Sequence, residues 1–308
     1  MSTEAPGPMV DADDVRRRLD EIDYLVDDGM ATALFLALAL EQPLLLEGEP
    51  GVGKTTAAKA LAQALGAPLV RLQCYEGLTA SEALYEWNYQ RQLLAIRLAE
   101  SRQTTLDDAD LFTAEFLQER PILKAIRMSG PVAPLLLIDE IDRADDEFEA
   151  LLFEFLGEAS ITIPEIGTFV AERRPVVVLT SNRSRELHDA LRRRCLYHWI
   201  DFPAPARVAE ILRRSVPAAN GSLIASATGF IGRVRELDLD KAPGMAETID
   251  WVSALSALGV AELVGSEVIR TLSAIAKTPD DRIAISDALV GLQPAQSRSV
   301  AAEPERTS

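Results

Sequence analysis

The sequence has very few of the side chains that bind transition metals or form disulfides. Its 308 residues include two cysteines, Cys74 and Cys195, and two histidines. The cysteines lie far apart, with no Cys-x-x-Cys spacing around either. We therefore expect neither a disulfide framework nor a zinc site, and we expect both thiols to be buried and reduced.

The sequence also lacks an apolar run long enough to cross a bilayer. The longest candidate, "MATALFLALAL" at residues 30–40, ends at Glu41 and is typical of a buried helix. The first residues, "MSTEAPGPMVDADD", are acidic and have neither the basic start nor the apolar centre of a signal peptide. These features predict a cytoplasmic protein without stable membrane insertion.

Basic residues are outnumbered: 31 Lys and Arg stand against 48 Asp and Glu, for a formal net charge of −17. This balance argues against broad attraction to nucleic acid or to an anionic membrane. One local exception is "LRRRC", which places three arginines side by side at residues 192–194. Arginine binds carboxylates and phosphates through two parallel hydrogen bonds, so the triplet predicts an anionic partner.

Continuous apolar runs alternate with helical segments from about residue 14 to Pro203, which predicts an α/β fold with a parallel sheet covered by helices on both faces. After Pro205 the sequence is Ala- and Leu-rich and predicts a smaller all-helical lid domain. The predicted organisation is a disordered tail at 1–12, an α/β nucleotide-binding domain at 13–203, a helical lid at 204–292 and a disordered tail at 293–308. Two inserts interrupt the alternation, at about 75–130 and at 160–171, and the second has the pattern of a hairpin.

The stretch "GEPGVGKT" at residues 48–55 follows a predicted strand and opens a predicted helix. Glycines allow consecutive backbone amides to point at phosphate oxygens, and the helix N-terminus adds partial positive charge. Lys54 would reach the β- and γ-phosphates, and the Thr55 hydroxyl would bind Mg²⁺. The predicted phosphate-binding residues are Gly48, Pro50, Gly51, Val52, Gly53, Lys54, Thr55 and Thr56.

Two further apolar strands end in polar residues. "LLLIDE" ends in Asp139, expected to hold Mg²⁺ through water, and Glu140, expected to polarise an attacking water. "VVVLTSN" ends in Asn182, placed to hold that water or a γ-phosphate oxygen. Acids at a strand end also cap helices, and Asn also forms turns, so neither motif is specific by itself. The phosphate loop in the same sequence is what favours the catalytic interpretation.

These elements, in this order, resemble those of the AAA+ ATPases. "LALALEQPLLLEGEPGVGKT" and "LLLIDEIDRAD" are similar to the MoxR branch, and "TIPEIGTFVAERRPVVVLTSNRSRELHDALRRRC" and "KAPGMAETIDW" resemble its carbon-monoxide-dehydrogenase maturation subgroup. The resemblance covers about residues 14–290. It implies ATP and Mg²⁺ as cofactors, Walker A at the phosphate loop, Walker B at Asp139 and Glu140, and sensor 1 at Asn182.

The resemblance further implies that Arg194, with Arg193 as the next candidate, is an arginine finger that acts on the nucleotide of a neighbouring subunit. The triplet could instead pair with acids across a subunit contact. The family's sensor 2 arginine has no counterpart in "KAPGMAETID", where Lys241 is the available substitute. The inserts are implied to face a pore or a partner.

The function that the resemblance implies is that of an ATPase chaperone, working as a hexameric ring of identical subunits. Its client would be a metalloenzyme, such as a molybdenum hydroxylase of the carbon monoxide dehydrogenase kind. A partner with a von Willebrand factor A domain is implied as well. Three alternatives stay open: a nucleotide-gated scaffold with little turnover, a motor acting on nucleic acid, and a small-molecule kinase. The acidic balance disfavours the motor, and the paired acids fit a kinase poorly.

Overall fold

The computed structural model describes residues 7–263 and 269–290. The chain divides into two compact units, Met1–Asp201 and Phe202–Ser308. Each unit has its own apolar core.

The first unit is built on a five-stranded sheet in which every neighbouring pair is parallel. Its strands are β1 (Leu44–Gly48), β2 (Leu69–Gln73), β5 (Leu135–Asp139), β8 (Val176–Ser181) and β9 (Leu196–Ile200). Their order in the sheet is β2-β5-β8-β1-β9. All residues of β1 and β5 are buried, which explains why both strands begin with an unbroken apolar run and do not alternate, and both runs end at a buried acid, Glu47 or Asp139. The predicted parallel α/β fold is confirmed.

Successive residues of each strand point to opposite faces of this sheet. Leu44 and Leu46 belong to the core under α1 (Ala12–Asp20), α2 (Asp28–Ala39) and α3 (Lys54–Leu65). Leu45 belongs to the core on the other face, which also contains side chains of α7 (Pro121–Arg127) and α8 (Asp146–Glu158). Burial on both faces fixes the strand ends, and therefore the position of whatever follows them.

The predicted insert at about 75–130 is in part a core element. Helix α7 lies inside that range, and its Ile122, Leu123 and Ala125 are fully buried against the sheet. The apolar spacing of "PILKAIR" is short, so the sequence pattern concealed a helix that covers one face of the sheet. The rest of the range contains α4 (Ala80–Ala83), β3 (Tyr85–Trp87), α5 (Tyr89–Arg102), α6 (Asp108–Leu111) and β4 (Leu117–Glu119).

The predicted hairpin is present as the antiparallel pair β6 (Ser160–Ile163) and β7 (Gly167–Val170). Ile161 and Ile163 are buried in the core, while Val170 is 68% exposed. One strand of the hairpin is therefore anchored to the domain, and the other faces outward.

Residues 9–12, which the sequence placed in the predicted N-terminal tail, have a defined conformation. Met9 is buried, and the Asp11 carboxylate caps α1 by accepting a hydrogen bond of 2.7 Å from the backbone N–H of Asp14. A buried methionine and a helix cap hold this acidic stretch in place. Residues 1–6 of that predicted tail and the whole predicted tail at 293–308 lie outside the described residues.

The described part of the second unit is helical, as its sequence predicted. Its core contains Phe230 and Trp251, whose ring centroids are 5.4 Å apart. Nowhere in residues 7–263 and 269–290 is a helix long and apolar enough to cross a membrane. After α9 (Asp189–Arg192) in the first unit, the helices are α10 (Pro205–Ser215), α11 (Gly221–Arg235), α12 (Met245–Ala257) and α13 (Pro279–Val290).

Candidate nucleotide-binding site

The loop between β1 and α3 has a backbone that requires glycine at two positions. A Cβ atom on Gly48 would lie 2.4 Å from the carbonyl oxygen of Ile200 on the adjacent strand. Gly53 precedes α3 with φ of +101°, in the left-handed region that glycine adopts at no steric cost. This conformation aims the loop and the start of α3 at the same edge of the sheet, as a phosphate-binding loop requires.

Lys54, the first residue of α3, is buried and held by the loop itself. Its Nζ donates to the carbonyl oxygens of Gly48, at 2.8 Å, and Glu49, at 2.7 Å. Burial lowers the pKa of Lys54, and the nearby carboxylates of Asp142, Asp139, Glu140 and Glu49 act in the opposite direction. The ammonium group thus lies at the centre of an acidic edge, inside the predicted phosphate loop.

The remaining loop residues flank that centre. Val52 is buried at the base of the loop, whereas Pro50, Gly51 and Thr56 are exposed. The Tyr24 hydroxyl donates to the carbonyl oxygen of Gly53 at 3.3 Å and braces the loop from the segment before α2. Sequence reasoning missed this tyrosine, because no local pattern links it to a loop so far along the chain.

Asp139 ends β5 and has both carboxylate oxygens hydrogen-bonded. Its Oδ1 accepts from the hydroxyls of Thr55, at 2.8 Å, and Thr180, at 2.6 Å. Its Oδ2 accepts from Arg71 Nε, at 3.0 Å, and Nη2, at 2.5 Å. Thr55 and Asp139, which were each predicted to hold Mg²⁺, are therefore accompanied by two residues that sequence reasoning missed, Thr180 and Arg71. The one signal for Arg71 was a charged residue inside the apolar strand "APLVRLQC".

Glu140 follows Asp139 in a left-handed conformation, with φ of 56° and ψ of 51°. Its backbone N–H donates to Thr180 Oγ1 at 2.9 Å, which holds this uncommon geometry. Its half-buried carboxylate lies beside Arg143, with Oε2 and Nη1 3.2 Å apart. Thr180, on the neighbouring strand β8, therefore fixes both predicted Walker B acids.

Asn182 follows the last residue of β8, the strand between β1 and β5. Buried Asp142 holds this turn: its Oδ2 accepts from the backbone N–H of Asn182, at 3.2 Å, and of Ser184, at 2.8 Å. The carboxyl ends of three adjacent strands thus bring together the phosphate loop, the acid pair and Asn182.

The three arginines of the triplet have three different environments. Arg192 Nη2 lies 3.7 Å from Glu47 Oε2, on β1. Arg194 Nη1 donates to the carbonyl oxygen of Phe153 on α8 at 2.5 Å. The Arg193 side chain is exposed and, within the described ranges, forms no hydrogen bond or ion pair.

A glycine makes room for Arg194. A Cβ atom on Gly157, one turn along α8 from Phe153, would lie 2.9 Å from Arg194 Nη1. The guanidinium group also lies over the Phe153 ring, 5.3 Å from its centroid. The Arg194 side chain is therefore held against α8, whereas the Arg193 side chain is not.

Arg193 and Arg194 lie at the opposite end of the sheet from the phosphate loop. They precede Leu196, which is in register with Leu44, while Gly48 is in register with Ile200. A rise of about 3.3 Å per residue separates these two ends by about 13 Å. Lys241 belongs to the second unit, where its backbone N–H donates to Asp281 Oδ2 at 3.3 Å.

The donor set fits a Mg²⁺–nucleoside triphosphate. Thr55 and Asp139 supply the hard oxygen donors that Mg²⁺ prefers, beside a lysine and a glycine-rich loop suited to phosphates. Among the described residues, no group of three or more His, Cys, Asp or Glu side chains forms a metal centre. Mg²⁺ would thus be held by few protein ligands, as is typical when phosphates supply the others.

The two cysteines are not part of this chemistry. Burial is the main cause that raises the pKa of the Cys74 and Cys195 thiols to about 12 each. Cys74 is buried, as the sequence predicted, whereas Cys195 is partly exposed, so the prediction is wrong for that residue.

The glycine loop, the acid pair and the polar strand end, on a parallel sheet of this order, define a P-loop nucleoside triphosphatase of the AAA+ class. Residues 43–195 match the AAA domain, dynein-related subfamily. Protein NorQ of Paracoccus denitrificans is 25% identical over 199 residues, which are 62% of this chain and 64% of NorQ. Chaperone MoxR1 of Mycobacterium tuberculosis is 25% identical over 244 residues, 76% of this chain and 56% of MoxR1. The chain therefore has an AAA domain at residues 43–195, and its similarity to both relatives supports a MoxR-type AAA+ ATPase.

The chain spans less than two thirds of the length of each of these two relatives. Among solved structures, it is similar to a point mutant of RuvB from Thermotoga maritima, with 18% identity and a TM-score of 0.49. That match covers 88% of this chain and 73% of the RuvB chain.

Proposed function

We propose that this chain hydrolyses ATP in the presence of Mg²⁺ as a ring of identical subunits, expected to be a hexamer, and uses hydrolysis to remodel a client protein. The observation that carries the proposal is the meeting of Lys54, Thr55, Asp139, Glu140 and Asn182 at one edge of the sheet. Each of these residues supplies a part that phosphoryl transfer to water requires.

In this proposal the backbone amides of residues 48–56 hold the phosphates, and Lys54 reaches the β- and γ-phosphates. Thr55 and Asp139, the latter through water, would hold Mg²⁺, which neutralises phosphate charge when bound. The Glu140 carboxylate accepts a proton from the attacking water, and Asn182 orients that water or a γ-phosphate oxygen.

The position of the arginine triplet supports a role in trans. Because Arg193 and Arg194 lie about one strand length from their own phosphate loop, they are better placed for a neighbour's nucleotide. Arg193 reaches outward without breaking any side-chain contact, whereas Arg194 would first leave the Phe153 carbonyl. We therefore place Arg193 ahead of Arg194 as the arginine finger.

The proposed client is supported by the family resemblance and by the relatives. MoxR1 is named a chaperone, which supports remodelling of a protein. The phrases similar to the carbon-monoxide-dehydrogenase maturation subgroup point to a metalloenzyme client, such as a molybdenum hydroxylase, and to a partner with a von Willebrand factor A domain. We further propose that this takes place in the cytoplasm.

One observation favours the second candidate, a nucleotide-gated scaffold with little turnover. Arg71 is hydrogen-bonded to Oδ2 of Asp139 and adds positive charge beside the proposed Mg²⁺ position. A motor on nucleic acid has less support, because the formal net charge is −17.

The first experiment measures the mass in solution of the Glu140→Gln variant, with and without Mg²⁺ and ATP. This variant is expected to bind nucleotide without hydrolysing it and to assemble into a ring when ATP is present. Adding Arg193→Ala should weaken assembly and, in an otherwise native chain, lower turnover by about 10³-fold or more. Arg213→Ala, which removes an exposed arginine of α10, is the matched control.

A monomer under both conditions contradicts the ring. A ring that binds ATP but has no measurable turnover in the native chain supports the scaffold instead.

A further inference from the structure

Glu47, one residue before the phosphate loop, is a buried carboxylate that the proposed chemistry does not use. Its side chain is 2% exposed, and its Oε2 accepts no hydrogen bond. Burying an ionised carboxylate is costly unless it is paired, so its surroundings must compensate its charge. They do so with two arginines instead of one.

The two guanidinium groups lie at nearly equal distances from the same oxygen. Arg183 Nε is 3.8 Å and Arg192 Nη2 is 3.7 Å from Glu47 Oε2. Both distances are too long for a hydrogen bond but short enough for a strong ionic attraction. One carboxylate is thus shared between two segments that are separate along the chain.

Two aromatic rings of β9 complete the arrangement. Arg183 lies over the Trp199 ring, 5.8 Å from its centroid, and Arg192 lies over the Tyr197 ring at 5.6 Å. Glu47 is in register with Trp199, so the carboxylate and both rings share one face of the sheet. We call these five residues, Glu47, Arg183, Arg192, Tyr197 and Trp199, the Glu47 cluster.

The tyrosine contributes to the same balance of charge. Burial is the main cause that raises the pKa of Tyr197, and the negative charge of Glu47 raises it further, whereas the charges of Arg192 and Arg183 act in the opposite direction.

Each arginine of the cluster is adjacent to a residue of the proposed mechanism. Arg183 follows Asn182 directly and has φ of 57°, a conformation that a non-glycine residue adopts only when it is held. Asp142 holds this turn from one side, through the backbone N–H groups of Asn182 and Ser184, and Glu47 attracts its side chain from the other. Arg192 directly precedes Arg193, the proposed finger.

We propose that Glu47 is a positioning residue: through Arg183 it sets the turn that carries Asn182, and through Arg192 it sets the segment that carries Arg193. One carboxylate on the phosphate-loop strand thereby links the group that acts within a subunit to the group that acts on the neighbour. This inference rests on the proposed function. Neither arginine is hydrogen-bonded to Oε2. The carboxylate can therefore move closer to Arg183 or to Arg192 at little cost in free energy.

The test is the isosteric variant Glu47→Gln, with Glu86→Gln as the control. Glu86 also pairs with an arginine, Arg120, but lies in the insert. Glu47→Gln is expected to leave the Kd for nucleotide within about threefold and to lower kcat about tenfold or more, whereas Glu86→Gln changes neither. A lower kcat with an unchanged Kd indicates a positioning role. A general loss of folded protein would instead lower the number of nucleotide-binding sites as well.

A double-mutant comparison identifies the route through the arginines. If Glu47 acts through Arg192 and Arg183, then Arg192→Gln or Arg183→Gln added to Glu47→Gln should lower kcat by much less than each does alone. Fully additive effects, or a kcat of Glu47→Gln equal to that of the native chain, overturn the proposal. Both arginines are partly exposed, so the single variants Arg192→Gln and Arg183→Gln are expected to fold even if Glu47→Gln does not.

A second readout does not depend on hydrolysis. With 5-fluorotryptophan in place of tryptophan, the ¹⁹F resonance of Trp199, assigned by its loss in Trp199→Phe, reports on the Glu47 cluster. A non-hydrolysable ATP analogue with Mg²⁺ should shift this resonance in the native chain and shift it less in Glu47→Gln. If the native chain has no turnover, the proposed ATPase cycle is wrong. The shift of the Trp199 resonance then tests by itself whether Glu47 is a positioning residue. A resonance unmoved by bound nucleotide in the native chain overturns the coupling.

Discussion

Two buried carboxylates lie on strands that flank β8, and their surroundings differ. Asp139, on β5, has both oxygens hydrogen-bonded, to two threonine hydroxyls and to Arg71. Glu47, on β1, leaves Oε2 without a hydrogen bond and shares it between two arginines. The same chemical group is locked at one strand and loosely held at the other.

The difference teaches how one sheet edge combines rigidity with adjustment. A fully bonded network in a low-dielectric site resists displacement, which suits the role we propose for Asp139 in holding Mg²⁺. A charge shared over long contacts can move between partners at low cost. If this contrast is correct, the free energy of unfolding should be sensitive to the partners of Asp139 and insensitive to the charge of Glu47.

The largest effect is expected for Arg71→Leu, which leaves buried Asp139 without its ionic partner. We expect the free energy of unfolding to fall by about 2–3 kcal/mol, less than a fully buried pair would lose, because Arg71 is 44% exposed. Two threonine hydroxyls also remain on Asp139. Urea unfolding without nucleotide measures this free energy. Arg71→Lys keeps the positive charge, so its free energy of unfolding should fall by no more than half as much as that of Arg71→Leu. An unchanged midpoint for Arg71→Leu would mean that the Asp139 site is not locked.

A smaller effect is expected at Thr180, on the strand between the two carboxylates. Thr180→Val keeps the shape of the side chain but removes the acceptor for the Glu140 N–H and a donor to Asp139. We expect a loss of about 1–2 kcal/mol in the same unfolding measurement. Thr180→Ser keeps the hydroxyl and should lose less; equal losses would show that packing, not hydrogen bonding, matters there.

The smallest effect is expected for Glu47→Gln. Arg183 and Arg192 are 53% and 35% exposed, so water solvates both when the carboxylate charge is removed. We expect the free energy of unfolding to change by less than about 1 kcal/mol, even though kcat falls. A loss as large as that of Arg71→Leu would remove the contrast between the two carboxylates and make Glu47 a purely structural residue.

The sequence predicted the parts of this site that lie within single motifs. Gly48, Lys54 and Thr55 follow from one loop, and the meeting of Asp139 with Asn182 follows from parallel strands whose carboxyl ends share an edge. The parallel sheet was predictable for the same reason, because strands buried on both faces are continuously apolar.

The partners that hold these residues were not predictable. Arg71 and Asp139 are 68 positions apart, and Thr180 and Asp139 are 41 apart, so only the strand order brings them together. Glu47 was visible as a charge at the end of an apolar strand, but its two arginines come from separate turns. Helix α7 was hidden because its short apolar run resembles the surrounding insert.

Gly157 places two requirements of α8 in conflict. A glycine inside a helix costs up to about 1 kcal/mol relative to alanine, so Gly157→Ala would ordinarily make this helix more stable. The added methyl group would also occupy the space 2.9 Å from Arg194 Nη1 and displace the guanidinium from its seat over Phe153. Selection for a more heat-resistant α8 would therefore release Arg194 next to Arg193, the proposed finger, so the thermal tolerance of α8 and the position of Arg194 cannot be optimised independently at this residue.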